Sequence, residues 1–354
     1  MIKKYVLGIE TSCDETAAAV VGYDLKMLSN VILSQIDIHK EFGGVVPEVA
    51  ARNHIKVIDK VVDSAIRQAS ETVYKSRVSK LNTGSKVVDE LNNKTFSFPD
   101  LFCIAATGKP GLPGAVMVGR VMGDCLATAV GVPFTEVNHI LGHIASVPLS
   151  VANFGQDNAI LPLKHVALVV SGGHTALYDV SLKGVVALIE TTMDDAVGEA
   201  FDKVARTLGL SYPGGPSIEA EAKKYKGTEF VKFVAHPNYT REGFSYSGLK
   251  TAVLNYINRL KQKDETIDIP MIAASFQIEA IAQLVIKCER LIAKKGIESL
   301  YVSGGVSANT LLREELGRVA LERGINIVFP QKSLSGDNAA MIAAASILGL
   351  KMKN

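Results

Sequence analysis

An apolar strand that ends in a small polar turn occurs twice in this 354-residue chain, once in each half. The first copy covers residues 5–12 and the second covers residues 165–175. Each run is continuously apolar, as is typical of a strand buried on both faces, and each continues into a second β-rich stretch, at residues 16–21 and 176–180. A hairpin with a polar turn in each half predicts a duplicated, two-lobed architecture with a cleft between the lobes.

Helical patterns separate the predicted strands. Strands alternating with helices predict an α/β class. Residues 71–100 are polar and poor in periodicity, which indicates a surface excursion. Further strands are predicted at 101–106 and 299–302, and helices at 55–70, 115–131, near His139, 192–208, 275–295 and 338–350.

Composition limits the class of protein. Apolar residues make up 47% of the chain, enough for a packed core, and the net charge of +2 lacks the basic excess of a domain that depends on phosphate contacts. Any RNA contact therefore needs a local patch or a partner. The four cysteines form no CxxC pair, and the uncharged apolar run at 338–350 is shorter than the ~20 residues of a membrane span. With no leader pattern at the start, the sequence predicts a cytoplasmic location and no membrane contact.

Two histidines have the spacing of metal ligands. His139 and His143 lie four residues apart, so on a helix their Cβ atoms are about 5–6 Å apart and can share one ion. The alternative is a pair on a half-exposed helix face that binds no metal. Asp337, just before an apolar helix, is a candidate third ligand or an N-cap aspartate, and the two roles are compatible. Two histidines and a carboxylate are typical of non-haem iron, and zinc is chemically possible.

Glycine pairs follow two of the apolar strands, at residues 171–175 and 303–307. Glycines let a backbone approach a phosphate and present N–H donors to it. Together with residues 11–12 and 111–114 they predict a nucleotide-binding cleft, although ordinary connections also use such pairs. There is no P-loop, because Pro110 stands where Ser or Thr would be, and no GxGxxG opens a βαβ unit.

A run of acidic residues is predicted to lie on one helix. Asp195, Glu199 and Asp202 would share one side of it, either as a solvated acidic face or as groups that hold ribose hydroxyls. The following turn at residues 212–216 is rigid enough to cover an adenine.

Assembled in order from residue 6 to about 345, these segments resemble the tRNA N6-adenosine threonylcarbamoyltransferase family in its bacterial TsaD form. The segments that carry the resemblance are residues 8–16, 43–48, 139–143, 170–175, 198–203, 212–216, 244–250, 303–309 and 337–338.

The resemblance implies a duplicated actin-like (ribonuclease H-like) two-lobe ATPase fold. Residues 1–125, completed by about 335–354, would form the N-terminal lobe, and 126–334 the C-terminal lobe. It implies a divalent metal on His139, His143 and Asp337, most often iron, and threonylcarbamoyl-AMP or ATP as the nucleotide. The implied nucleotide contacts are Val169, Val170, Ser171, Gly172, Gly173, Asp202, Gly215, Glu219 and Asn309, where relatives often have Asp at the position of Glu219.

The implied activity is metal-assisted transfer of the threonylcarbamoyl group to the N6 amine of the adenosine 3′ of the anticodon, in tRNAs that read ANN codons. No residue is assigned as general base. The implied partners are tRNA, a paralogous actin-fold subunit and a small ATPase. The cations predicted to grip RNA, or else to be ordinary surface residues, are Lys223, Lys224, Lys226, Arg241, Lys250, Arg259, Lys261 and Lys263.

Three features depart from the family pattern: Leu141 replaces a frequent Glu, Lys109 replaces a usual Gly, and residues 71–98 are longer than usual. Two alternative functions stay open. An actin-fold small-molecule kinase needs an acidic base and Mg²⁺ and has no use for the histidine pair, whereas a non-catalytic scaffold paralogue is expected to lack that pair and Asp337. A metalloprotease is disfavoured because Ile140, not Glu, follows His139.

Overall fold

A computed structural model describes residues 5–79, 100–155, 164–233 and 242–353. These residues form two compact units. The first takes its described residues from Met1–Asp37, Val45–Leu161 and Asp337–Met352, and the second from Ile38–Gly44, Pro162–Gly336 and Lys353–Asn354. The lobe boundaries expected near residues 125 and 335 stay a prediction. The first compact unit extends beyond residue 125 and includes the helix that starts at His139.

Strands and helices alternate along the described residues, as an α/β class requires. The strands are β1 (Tyr5–Glu10), β2 (Glu15–Gly22), β3 (Met27–Ser34), β4 (Leu101–Lys109), β5 (Phe134–Asn138), β6 (His165–Val170), β7 (Thr175–Val180), β8 (Val185–Thr191), β9 (Ser299–Ser303), β10 (Asn326–Val328) and β11 (Lys351–Met352). The helices are α1 (Ile36–Lys40), α2 (Pro47–Ser79), α3 (Pro113–Val130), α4 (His139–Phe154), α5 (Val197–Thr207), α6 (Gly214–Ala222), α7 (Ser247–Gln262), α8 (Ile269–Lys295), α9 (Thr310–Arg323) and α10 (Ala339–Ile347).

The two units repeat one sheet topology. The first sheet has the order β3-β2-β1-β4-β5, and five of the six strands of the second sheet have the corresponding order β8-β7-β6-β9-β10. In each unit the first strand pairs antiparallel with the second and parallel with the fourth, so β1 lies between β2 and β4 just as β6 lies between β7 and β9. The duplication predicted from the repeated hairpin is therefore confirmed at the level of strand order.

The central strands are buried, as their apolar runs predict. Every residue of β6 is buried, and β1 is buried except at Tyr5. In the first unit the core forms between the sheet that contains β1 and the helices α2 and α3. In the second unit α5, α7 and α8 pack against the sheet that contains β6. This packing holds the ends of β1 and β6 rigidly in place, which matters because the polar turns follow directly after them.

Several of the predicted helix boundaries are wrong, including the start of α8, which is Ile269 and not residue 275. Helix α2 runs from Pro47 to Ser79 rather than over 55–70, so residues 71–79 are helical and only the remainder of the predicted excursion lies outside the described residues. Helix α5 begins at Val197 and not at residue 192, because Thr192 donates its hydroxyl to the carbonyl of Asp195 (2.7 Å) and forms a bridge to Phe244.

Among the described residues, one helix is long and apolar enough by composition to cross a membrane, at Ile269–Lys294, and 56% of that window is buried in the protein. This helix, α8, packs through Phe276, Ile281 and Leu284 in the core of the second unit. A core helix satisfies the same criterion of length and composition.

Candidate metal centre and nucleotide-binding residues

The two histidines lie on the first two turns of α4. Asn138 caps this helix by accepting a hydrogen bond from the Ile140 N–H at 2.9 Å, so α4 begins at His139 itself. The imidazole rings are 4.6 Å apart between centroids, and both histidines are buried. The pair therefore does not lie on a half-exposed face, which was the alternative to a ligand role.

Asp337 lies beside both rings. Its Oδ1 atom is 3.3 Å from Nε2 of His143 and 3.5 Å from Nε2 of His139. The interpretation of Asp337 as an N-cap is wrong, because the adjacent Asn338 is the cap of α10 and accepts from the Met341 N–H at 3.0 Å. The carboxylate of Asp337 is thereby left for the histidines.

Two glycines allow α10 to approach the rest of the centre. A Cβ atom added to Gly8 on β1 would lie 2.2 Å from the Ala339 carbonyl oxygen, and one added to Gly142 on α4 would lie 2.8 Å from Cδ1 of Ile342. Both distances are far inside van der Waals contact. The close approach of α10 to β1 and α4 therefore depends on these glycines, and it brings the preceding Asp337 to the histidines.

The donor set fits one divalent cation. One ligand atom from each of His139, His143 and Asp337 lies within 4.8 Å of the other two. Two ligands each about 2.1 Å from one ion are roughly 3.0–3.4 Å apart in octahedral or tetrahedral geometry, close to the separations measured here. Both ring nitrogens of His143 are buried with no hydrogen-bond partner among the described residues. A bound cation would satisfy one of them.

Negative charge accumulates around the histidines. Burial disfavours the charged imidazolium of His139, but Asp337 and Glu10 outweigh burial and raise the pKa of His139 to about 9. Burial together with the nearby Asp14 and Asp337 raises the pKa of Glu15 well above its usual value. Carboxylates that resist joint ionisation indicate a place where a cation would be stabilising.

Sequence reasoning missed Glu10 and assigned Ser12 to a nucleotide-binding turn, whereas both lie against His139 on the side away from Asp337. Glu10 Oε2 is 3.1 Å from Nδ1 of His139, and Ser12 Oγ is 3.3 Å from the same nitrogen. A signal for Glu10 was present in the sequence, since it is a charged residue at the end of an otherwise apolar strand that is buried on both faces.

The predicted nucleotide residues gather at the carboxyl ends of β6 and β9. These strands are parallel neighbours with Val169 opposite Ser303, so the turns that follow them lie side by side. Gly304 has φ +91°, and an added Cβ there would lie 2.3 Å from the Val170 carbonyl oxygen. Added Cβ atoms at Gly172 and Gly173 would meet nothing within 4 Å, so the backbone of that turn is open to a ligand. Ligands of α/β sheets bind at such strand ends.

The other predicted contacts lie on the helices around these turns. Asp202 on α5 accepts from the Gly214 N–H at 2.7 Å, next to Gly215. Glu219 on α6 accepts from the Thr310 hydroxyl at 2.6 Å, next to Asn309, which caps α9. The predicted contacts in the second unit thus form neighbouring groups, and Asp202, Glu219 and Asn309 each already have a hydrogen-bond partner within the chain.

Asp194 and Asp195 precede α5 and bind groups outside that helix as well as Lys203 within it. Asp194 accepts four hydrogen bonds from Ser245, Tyr246 and Ser247 at the start of α7, which outweigh burial and lower the pKa of this carboxyl. Asp195 pairs with Lys203 and Lys250 at 3.0 and 2.5 Å. The prediction that Asp195 shares one helix side with Glu199 and Asp202 is wrong, because α5 starts after Asp195.

Several of the cations predicted to grip RNA already have acidic partners. Lys223 pairs with Glu219 at 2.6 Å and Lys224 with Glu221 at 2.6 Å, in addition to Lys250 with Asp195. Arg241 lies outside the described residues. The RNA-binding role of this set stays a prediction.

The three departures from the family pattern have simple structural settings. Leu141 is buried on α4 and fills core space. Lys109 ends β4 without a positive φ, so the turn needs no glycine at that position. The segment 80–98 lies outside the described residues.

Comparison with known proteins places this geometry in a family. The family model for TsaD, tRNA N6-adenosine threonylcarbamoyltransferase, matches residues 26–76 and 82–344. A tRNA N6-adenosine threonylcarbamoyltransferase of Clostridium perfringens (strain SM101 / Type A) is 43% identical over 355 residues, covering 100% of this chain and 95% of its own length. One from Bacillus licheniformis is also 43% identical, over 98% of this chain and 92% of its own length.

Solved structures add evidence on the fold. T. kodakarensis HypF superposes with a TM-score of 0.56 at 14% identity, over 98% of this chain and 48% of that one. Component A of the (R)-2-hydroxyglutaryl-CoA dehydratase of Acidaminococcus fermentans gives 0.52 at 14% identity, over 98% and 99%. At these identities the likeness concerns the fold alone, and with the duplicated mixed sheets it confirms the predicted actin-like two-lobe α/β class. By its sequence matches, the chain belongs to the tRNA N6-adenosine threonylcarbamoyltransferase family.

Proposed function

We propose that this chain transfers the threonylcarbamoyl group of threonylcarbamoyl-AMP to the N6 amine of the adenosine 3′ of the anticodon, in tRNAs that read ANN codons. The observation that carries the proposal is a full-length family match in a chain that also clusters His139, His143 and Asp337. The kinase and scaffold alternatives are not favoured, because the relatives are named tRNA threonylcarbamoyltransferases and the histidine pair and aspartate are both present.

The metal is proposed to be held by His139, His143 and Asp337. Two imidazole nitrogens and one carboxylate oxygen suit ferrous iron with open coordination positions, so Fe²⁺ is the proposed ion and Zn²⁺ the alternative. A bound metal would supply Lewis-acid polarisation of the carbamoyl carbonyl, which is worth several kcal/mol. This contribution suits a reaction in which the nucleophile is a weakly nucleophilic aromatic amine.

The nucleotide is proposed to be bound by residues of the second unit. Backbone N–H groups of the open turn at Gly172 and Gly173 would hold the phosphate, and Asp202 would hold the ribose. The remaining proposed contacts are Val169, Val170, Ser171, Gly215, Glu219 and Asn309. Asn309 and Glu219 lie next to each other through Thr310, so they would act on one part of the ligand.

In the transfer step the amine nitrogen bonds to the carbamoyl carbon, the bond from that carbon to the phosphate oxygen breaks, and AMP leaves. The amine loses one proton, for which no acceptor is assigned. The proposal includes tRNA, a paralogous actin-fold subunit and a small ATPase as partners, and a cytoplasmic location. These partners would compensate for a net charge of only +2.

The test is transfer by a His143→Ala variant. The full-length variant is incubated with unmodified tRNA, threonine, bicarbonate, ATP, the adenylate-forming enzyme and the proposed partners, and the nucleosides are analysed by mass spectrometry. Loss of bound metal and of threonylcarbamoyladenosine together is expected. Ser146→Ala, a change on the same buried helix one turn later, should keep both. Full transfer by His143→Ala without bound metal would refute the metal role.

A further inference from the structure

Glu10 is a fully buried carboxylate that ends β1. Its two oxygens accept hydrogen bonds from three groups. The Ser12 backbone N–H donates to Oε1, the Thr107 hydroxyl donates to Oε2 at 2.5 Å, and Nδ1 of His139 lies 3.1 Å from Oε2. A buried carboxylate is destabilising unless such donors surround it. If the end of β1 needed only packing, an apolar residue would fill the space without the destabilising effect of a buried carboxylate.

The contact with Glu10 determines which nitrogen of the His139 ring carries a hydrogen. An ionised carboxylate can only accept, so Nδ1 of His139 must carry the hydrogen that it donates. A cation that displaced the proton on Nε2 would then meet that nitrogen's lone pair on the side of Asp337. The Ser12 hydroxyl, 3.3 Å from the same Nδ1, lies on this side of the ring as well.

His143 has no corresponding support. Both of its ring nitrogens are buried without a hydrogen-bond partner among the described residues. The two histidines are thus unequal, because Nδ1 of His139 has a hydrogen-bond partner and Nδ1 of His143 has none among the described residues. Orientation of His139 as a metal ligand therefore depends on Glu10.

We propose that Glu10 is a positioning residue that fixes the ring orientation and tautomer of His139 for metal binding. The proposal rests on the metal centre of the proposed function and adds a residue to it. Metal-ligating histidines commonly donate their second N–H to a carboxylate, and removing that partner typically weakens metal affinity 10–100-fold. A purely structural Glu10, which only ties the turn after β1 to β4, predicts a change in stability and none in metal affinity or tautomer.

The test uses Glu10→Gln in the full-length chain. A glutamine amide has one accepting oxygen and a donating NH₂, so it cannot accept from all three surrounding donors. We expect zinc affinity of the metal-stripped protein, measured by competition with a chromophoric chelator, to fall about 10–100-fold. Glu10→Asp keeps the charge but withdraws the carboxylate by one methylene, and should weaken zinc binding as well. Glu136→Gln on β5, an exposed carboxylate paired with Arg120, is the matched control and should bind zinc as the wild type does.

A second readout follows the ring itself. In the zinc-loaded wild type, ring ¹⁵N spectra should show His139 with a protonated Nδ1 and a metal-bound Nε2, and this pattern should change in Glu10→Gln. Circular dichroism shows whether each variant folds. If neither Glu10 variant folds, the wild-type spectrum alone tests the role of Glu10, because a metal-bound Nδ1 on His139 would overturn the proposal.

The outcomes separate the two proposals. Wild-type zinc affinity in both folded Glu10 variants, with unchanged His139 spectra, overturns the role of Glu10 and leaves the metal centre intact. Failure of the wild type to bind zinc through His143 removes the metal centre of the proposed function, and the role of Glu10 with it.

Discussion

Asp337 and Asn338 divide two tasks between adjacent side chains. Asn338 is fully buried and caps α10, while Asp337 points its carboxylate at the histidines. From the sequence either residue could cap the helix, because Asp and Asn are equally good N-caps. Which of the two residues caps the helix depends on where the histidines lie in the folded chain, and the local sequence does not predict this.

Substitution at these two positions should separate stability from metal binding. Asn338→Ala removes the cap and should lower the free energy of unfolding by about 1–2 kcal/mol while one metal ion still binds. Asp337→Ala should abolish metal binding while α10 keeps its cap. Denaturant unfolding and metal titration of both proteins check this, and equal metal affinity in the two variants would contradict it.

The metal-free protein should lose stability as the pH rises from about 6.5 to about 9. Asp337 and Glu10 raise the pKa of His139 in the folded state to about 9, against 6.5 when unfolded. A raised pKa stabilises the folded state fully below the unfolded value, and this contribution disappears as the pH passes the folded value. Urea unfolding across this range measures it. His139→Gln should show a flatter profile, and an equally steep one would show that another group is responsible.

At the scale of elements, helix α10 determines whether the centre can assemble. It is rich in alanine and buried over Ala339–Ala345, and it lies against β1 and α4 where Gly8 and Gly142 leave room. The sequence predicted the helix itself from its small apolar residues. It did not predict that the neighbouring strand and helix each need a glycine opposite it.

Gly8→Ala should therefore damage both the fold and the metal centre. The added methyl group would meet the Ala339 carbonyl oxygen at 2.2 Å, so β1 and α10 must separate, at a cost of about 1–3 kcal/mol in unfolding free energy. Metal affinity should fall because Asp337 precedes the displaced helix. Gly317→Ala on α9, where an added methyl meets nothing within 4 Å, should be neutral or stabilising by up to about 1 kcal/mol. Similar melting curves for the two variants would argue against the close packing.

Other elements show where sequence patterns are sufficient and where they are not. Strands β1 and β6 were predictable because their continuous apolar runs reflect burial on both faces. The extent of α2 was not, because Glu71, Thr72 and Lys75 are exposed and the sequence of residues 71–79 lacks apolar periodicity. The start of α5 was missed because Thr192 and Asp194 bind groups near Phe244 and Tyr246, about fifty residues along the chain.

At the scale of the whole molecule, the chain consists of two units with the same strand order. In each of them the strand that leads into a polar turn is central in the sheet, so β1 ends beside the metal ligands of its unit and β6 ends at the glycine turn of its unit. The duplication was predictable from the repeated strand and turn. The division of roles was not, because one turn carries Glu10 and Ser12 and the other carries Gly172 and Gly173, and only three-dimensional neighbours distinguish their partners.

The cluster of His139, His143 and Asp337 is proposed to bind the ion that tRNA modification requires. The most direct measurement is threonylcarbamoyladenosine formation by the metal-stripped full-length wild type as metal is added back, with bound metal quantified in the same samples. We predict no transfer without metal and a rise in proportion to bound metal that saturates at one ion per chain. Full transfer by the stripped protein would contradict the account.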